Sequence, residues 1–155
     1  MIDARELVRL LRAASFRSKT GVILLPADMF GQEELIAAQL DIQYADIVPL
    51  LIQRIPPHGN FLNLSLSGLF EVLDSLAFSN AGMDCVLISG IDVPAMKLAS
   101  IERREMWRRL LQDYPYRPKG LVFTIPNHMD GVLVLQESSI RAEWERGGRV
   151  AAWTN

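Results

Sequence analysis

One cysteine, Cys85, occurs in the whole chain. No intrachain disulfide can form, and the apolar run around it predicts a buried, inert thiol in a reducing compartment. Histidine is almost as scarce. His58 and His128 stand far apart in turn-like stretches, and with one cysteine set in a strand they give no zinc-ligand spacing. Lysine is limited to Lys19, Lys97 and Lys119, none in the Glu-x-Lys arrangement that nuclease chemistry uses. Long apolar runs are also missing. No stretch reaches the ~18 residues of a membrane span. The N-terminal "MIDARELVRLLRAA" mixes acids and arginines among its leucines, where a signal peptide would carry a clean apolar centre. A cytoplasmic protein with no membrane partner is the expectation. The net charge of −2 argues against a generally basic surface for nucleic acid. "LISGID" ends a strand in glycine, but no glycine-rich dinucleotide loop follows. "LSLSG" lacks the first glycine of a nucleophile elbow.

What is present describes an architecture. The chain has 155 residues, half of them apolar. That length suits one domain, 1–155, able to bury roughly 68–70% of its unfolded surface. An N-terminal helix is predicted over 1–14, with Asp3 and Glu6 at capping-box spacing and Leu7, Val8, Leu10 and Leu11 on one face. Three continuous apolar runs, Gly21–Leu25, Cys85–Ser89 and Gly120–Pro126, read as strands buried on both faces. "GVLVLQ" (131–136) and "RVAAW" (149–153) read as further strands, and Tyr44–Val48 as a strand before a short helix opened by Pro49. Between them, "GQEELIAAQL", "SLSGLFEVLDSLAFS", "SIERREMWRRLLQDY" and "SIRAEWERGG" carry helical periodicity, the last stopped by Gly147. Buried strands alternating with amphipathic helices predict an α/β fold, a three-layer α/β/α sandwich on a mostly parallel sheet. Ligands of such sheets sit beyond the carboxyl ends of the strands, which directs attention to 26–33, 89–94, 126–131 and the extreme C-terminus.

The order of elements over 20–153 resembles the additional-strand branch of the P-loop NTPases. That resemblance implies a first strand leading into a phosphate loop, a later strand carrying a magnesium-binding acid, a next strand carrying a polar sensor, and a closing strand. Gly21–Leu25, Cys85–Ser89, Leu121–Ile125 and Val150–Trp153 correspond. The residues that would do the chemistry do not. Against G-x-x-x-x-G-K-[ST], this chain sets Pro26, Gly31, Gln32 and Glu33, so only Gly31 matches. Pro26 removes a backbone donor, and Gln32 brings no charge where lysine reaches the phosphates. Asp28, Glu33 and Glu34 add negative charge, each like-charge approach at ~4 Å costing about 4 kcal/mol at an effective dielectric near 20. Asp92 comes three positions after Ser89, where the magnesium-binding acid should directly follow four apolar residues. It reads first as a turn-former into "VPAMKL" and second as a metal ligand. Thr124 and Asn127 lie at the sensor position, with strand-end hydrogen bonding the simpler role. The loop is read as structural, the cofactor expectation is none, and a pseudo-NTPase is implied.

Thirteen arginines contrast with three lysines. Arg103, Arg104, Arg108 and Arg109 crowd one helix, where Glu102 and Glu105 can pair with them. Tyr116, Arg117 and Lys119 in "DYPYRPKG" extend this set into a candidate interaction surface, since arginine suits interface ion pairs and phosphate contacts and aromatics among basic residues can stack and grip. A solvated, self-paired helix face explains the same residues. The pattern also resembles small accessory proteins of bacterial phage-exclusion (BREX-type) defence loci. Three functional readings follow. The first is a non-catalytic scaffold or adaptor subunit of a bacterial complex, with protein partners, nucleic acid reached through them, and self-association. The second is a nucleic-acid-binding module using the arginine face. The third is an unorthodox NTPase with Asp92 on magnesium and Arg117 or Arg141 on phosphate.

Overall fold

A computed structural model describes residues 1–13, 18–55, 57, 64–79, 82–112, 114, 117–129 and 138–154. Six strands form one sheet: β1 (Ile2–Asp3), β2 (Thr20–Leu25), β3 (Gln43–Asp46), β4 (Cys85–Ser89), β5 (Gly120–Pro126) and β6 (Val150–Ala152). Their spatial order is β1-β6-β2-β5-β4-β3, and every pairing is parallel. Seven helices connect them among the described residues: α1 (Ala4–Arg12), α2 (Glu33–Gln39), α3 (Ile47–Ile52), α4 (Leu66–Ala77), α5 (Asp92–Lys97), α6 (Ser100–Gln112) and α7 (Ser138–Arg146).

The apolar runs are continuous because both faces of the sheet are covered. Val22 and Leu24 of β2 point into one core with Phe123 of β5, Leu69 and Leu73 of α4, Met106 and Trp107 of α6, and Trp144 of α7. Ile23 and Leu25 point to the other side, against Leu7 and Leu11 of α1 and Ile36 of α2. The result is a three-layer α/β/α sandwich, with α1 and α2 on one face and α3 to α7 on the other. Trp107 anchors the larger core, edge-on to both Phe123 at 6.3 Å and Trp144 at 6.0 Å. Gly21 is the point of closest approach on the smaller side. A Cβ there would stand 2.8 Å from Cδ1 of Leu7, so glycine is what lets α1 lie down on β2.

Several local outcomes differ from the sequence reading. The strand expected over 44–48 ends at Asp46, because the Asp46 carboxylate accepts a hydrogen bond from the Val48 N–H and starts α3 there. Pro49 therefore sits within the first turn of α3 rather than opening it. Asp92 heads a short helix, α5, where a plain turn was expected. At the end of α7 the left-handed residue is Gly148, φ 66°, not Gly147. β1 escaped notice because two residues carry no periodicity, yet Ile2 and Asp3 pair with Ala151 and Ala152. The strand expected over 131–136, together with His58 and Tyr116, lies outside the described residues.

Candidate functional site

Residues at the carboxyl ends of β2 to β5 surround a cleft of roughly 620 Å³, the place where parallel sheets hold ligands. Three of the four stretches flagged in the sequence meet there, through Phe30 and Glu33, Ser89 and Asp92, and Pro126. The chain leaves β2 for α2 on one face and β5 for α7 on the other, although β2 and β5 are neighbours. The mouth between them is thus a topological switch point. Phe30 and His128, from the loops after β2 and β5, meet edge to face with ring centroids 5.5 Å apart.

The loop after β2 is a tight 3-10 turn over Ala27–Met29. Its amides are directed inward. The N–H of Met29 donates to Pro26 O at 3.0 Å, that of Phe30 to Ala27 O at 3.4 Å, and that of Gln32 to Met29 O at 3.2 Å. The Gln32 side chain folds back as well, donating through Nε2 to Asp28 O at 3.2 Å. Buried Met29 pins the turn to the core formed with α1 and α2. A phosphate cradle needs such amides free and converging; here they are engaged in the turn, and Gly31 alone takes the left-handed conformation, φ 79°.

The floor of the cleft is lined with hydroxyls. Register sets Asp46 of β3 beside Ser89 of β4. The Tyr44 hydroxyl lies 2.9 Å from Ser89 Oγ, and Thr124 Oγ1 donates to Ile88 O at 3.4 Å. Gly90 follows with φ 79°; a Cβ there would come within 3.1 Å of Asp46 Oδ1 and Val48 Cγ2, so only glycine lets β4 turn under α3. Glu33, Asp46 and Asp92 supply carboxylates, and among the described residues no lysine or arginine lines the space. Among the described residues no group of three His, Cys, Asp or Glu side chains could hold a metal ion, so Asp92 has no convergent ligand set around it. Compared with known proteins, the chain matches no family model and no curated relative.

The residues anticipated as an interaction surface take different environments, with Arg109 and Arg117 both flanking the Phe70–Tyr114 ring pair. Arg108 donates to Glu105 Oε2 at 2.8 Å and to Gln112 Oε1 at 2.7 Å, and this hydrogen bonding holds the Glu105 carboxyl below its ordinary pKa. Arg109 does not face solvent freely; its guanidinium lies 3.9 Å from the Phe70 ring centroid. Arg103 is half-buried and reaches Ser100 Oγ at 3.5 Å. Arg104 is exposed and, with Arg108, borders a second cavity of about 630 Å³ between α6 and α7. Arg117 is held between Phe78 and Tyr114, at 4.9 and 4.7 Å, and reaches Asp74 Oδ1 at 3.3 Å. Lys119, expected on the surface, is buried, and its Nζ donates to Gln43 Oε1 at 3.4 Å. Its burial follows from position: Lys119 immediately precedes the central strand β5, and its backbone N–H is engaged with Ala77 O at 3.2 Å.

Sequence reasoning did not single out Tyr44, Asp46 or Ser89. Their only signal was position, as residues at the ends of neighbouring strands.

Proposed function

We propose that the chain is a non-catalytic scaffold or adaptor subunit, built on a P-loop-like core whose nucleotide cradle has been lost. The observation that carries this reading is the loop after β2, where three backbone amides that a phosphate would need are hydrogen-bonded within the turn. The Phe30–His128 contact, and a cleft whose described lining has carboxylates and no basic side chain, support it further. The sheet order supports the ancestry. β5 lies between β2 and β4, the placement that the name of the additional-strand branch describes, and β6 flanks β2 on the other side. Membership of a bacterial anti-phage assembly is part of the same proposal, and no helix among the described residues is long and apolar enough to cross a membrane.

Thermal unfolding with and without millimolar Mg-ATP tests the loss of the cradle. A ligand at a hundred times its Kd raises stability by about 2.7 kcal/mol, so the expected result is an unchanged Tm, and a rise of several degrees would refute it. Co-purification from the native cell tests the adaptor role. A stable set of protein partners is expected; a chain recovered alone, with turnover of a nucleotide, would overturn the proposal.

A further inference from the structure

We propose that α6, with the groove it forms against α7, is the face on which a second copy of this chain docks in a symmetric, antiparallel contact. The helix carries two stripes. Met106, Trp107 and Leu110 are fully buried in the core. Ile101, Arg104, Glu105, Arg108 and Leu111 recur at three- and four-residue steps on another side and line a groove of about 630 Å³. Leu111 and Ile140 of α7 are half-buried, packed against the core and bordering the same groove. Ile101 belongs to neither core. It is 78% exposed, the most exposed large apolar side chain among the described residues. A single exposed isoleucine is ordinary, but one that shares a groove with two other apolar side chains is surface for a partner to bury.

Charge selects the partner. The groove sets Arg104 and Arg108 against Glu105 and Glu143, two groups of each sign. A balanced lining has no net field to gather a polyanion such as nucleic acid, nor a segment of one sign. It does suit itself. A twofold contact places the same patch on both sides, and only a patch carrying both signs then meets its opposite. The order of residues along α6 supports the same partner. A twofold axis at the level of Met106 puts Ile101 of each copy opposite Leu111 of the other, since both lie five positions from Met106. The same axis brings Glu105 of each copy to within ~1.5 Å, measured along the helix, of the level of Arg108 of the other. Glu105 and Arg108 already pair within each chain, so the contact joins two pairs into one alternating network of four charges. Arg104 comes level with Arg108 of the other copy, a like-charge approach that the neighbouring Glu105 offsets.

The contact is small. α6 has 13 residues, a length of about 20 Å, and two helices side by side are roughly 20 Å across. They offer on the order of 400 Å² of projected face per copy, about half of the ~800 Å² per partner in a standard interface. Association should therefore be weak and reversible, with a Kd on the order of 10–100 μM. The inference stands on the groove and not on the loss of the nucleotide cradle, so a nucleotide bound at the sheet edge would leave it untouched.

Sedimentation velocity of the full chain, from about 1 μM to about 1 mM, tests this, with a mass that rises from monomer to dimer as the expected result. Ile101→Glu should weaken association at least ~tenfold. Its site is exposed, so the fold is kept, and Ile101→Ser supplies a milder second variant. Glu105→Arg and Arg108→Glu each set four like charges around the twofold axis, and each should be monomeric alone. Mixed in equal amounts, the two variants recover both cross-pairs and should regain the dimer. Circular dichroism of each variant checks that the helices are intact. Parent chain monomeric at every concentration, a dimer indifferent to Ile101→Glu, charge variants that dimerise alone or fail to associate when mixed, or a monomer that sediments with added duplex DNA instead would overturn the proposal.

Discussion

Replacing Arg149 with methionine separates two large and opposed effects in the core. Arg149 is 4% exposed, and no carboxylate pairs with it among the described residues. Its guanidinium instead ties three elements together, donating to Thr20 O at 2.8 Å, Leu111 O at 2.9 Å and Leu110 O at 3.3 Å, and to Thr20 Oγ1. It also lies 4.4 Å from the centroid of the Trp144 ring. Leu110 and Leu111 belong to the last turn of α6, whose carbonyls carry the negative end of the helix dipole. Methionine keeps most of the stem volume and removes the donors. Leu110 O retains the Thr20 hydroxyl at 2.8 Å, but Thr20 O and Leu111 O lose their side-chain partner at ~1–3 kcal/mol each. The lost stacking adds about 1–2 kcal/mol. Against this, burial lowers the Arg149 pKa from 12.5 to about 10, so holding the charge at neutral pH costs roughly 3 kcal/mol, which methionine relieves. The expected net loss is about 2 kcal/mol, or roughly 4–8 °C in Tm for a chain of this size. Urea unfolding at neutral pH, with an unchanged denaturant slope, measures it. A methionine variant as stable as the parent would show that desolvation dominates and that the carbonyl cage contributes nothing net.

Two further outcomes follow from the packing. Gly21→Ala drives a methyl group to within 2.8 Å of Leu7, and lifting α1 from the sheet should cost ~1–3 kcal/mol in the same unfolding assay; a neutral result would mean that Leu7 changes rotamer freely. Alkaline stability should depend on Tyr114. Burial, and then its hydrogen bond to Asp74, raise this phenol above its ordinary value of 10.0, so the native chain keeps a proton that the unfolded chain releases. That contribution is complete below pH 10 and is lost as pH rises through the native value. Tyr114→Phe should flatten the decline above pH 10 by up to about 1.4 kcal/mol per pH unit, read from urea midpoints across pH, and an unchanged slope would refute the assignment.

The layered fold was legible because burial on both faces writes itself into a strand as an unbroken apolar run. Val22 to Leu25, Cys85 to Ile88 and Leu121 to Ile125 could hardly be anything but central strands, and they occupy the sheet interior. The expectation of a mostly parallel sheet followed from the helices between them, and every observed pairing is parallel. Less legible were features set by a single residue or by tertiary contact. β1 has two residues and exists only because β6 offers an edge. The end of β3 depended on one cap, Asp46, that periodicity cannot weigh. Arg149 read as an unremarkable start to a strand, since nothing local says that a guanidinium will replace apolar packing between α6, α7 and β2. Arg109, Arg117 and Lys119 were legible as basic but not as consumed. Phe70 and Phe78 lie far from them in sequence, as do Tyr114 from Phe70 and Gln43 from Lys119.

The same limit explains why the cleft, unlike the sheet, had to be seen. Glu33, Asp46 and Asp92 are separated by long stretches of chain, and each alone is an ordinary helix-starting acid. Parallel strands change their meaning, because every strand in such a sheet delivers its carboxyl end to one edge. Helices that begin just beyond that edge bring their first residues with them. One capping aspartate, Asp46, and two first-turn acids, Glu33 and Asp92, thereby add up to one electrostatic environment. In a phosphate-binding protein the open N-termini and loop amides at this edge would all face an external anion. Here the helix starts carry acids supplied by the chain itself, and three loop amides are bonded within their own turn. Gln32→Lys would therefore leave the backbone donors still engaged and the carboxylates still in place. What the edge retains is a cleft whose described lining carries the Tyr44 and Ser89 hydroxyls, three carboxylates and no basic side chain.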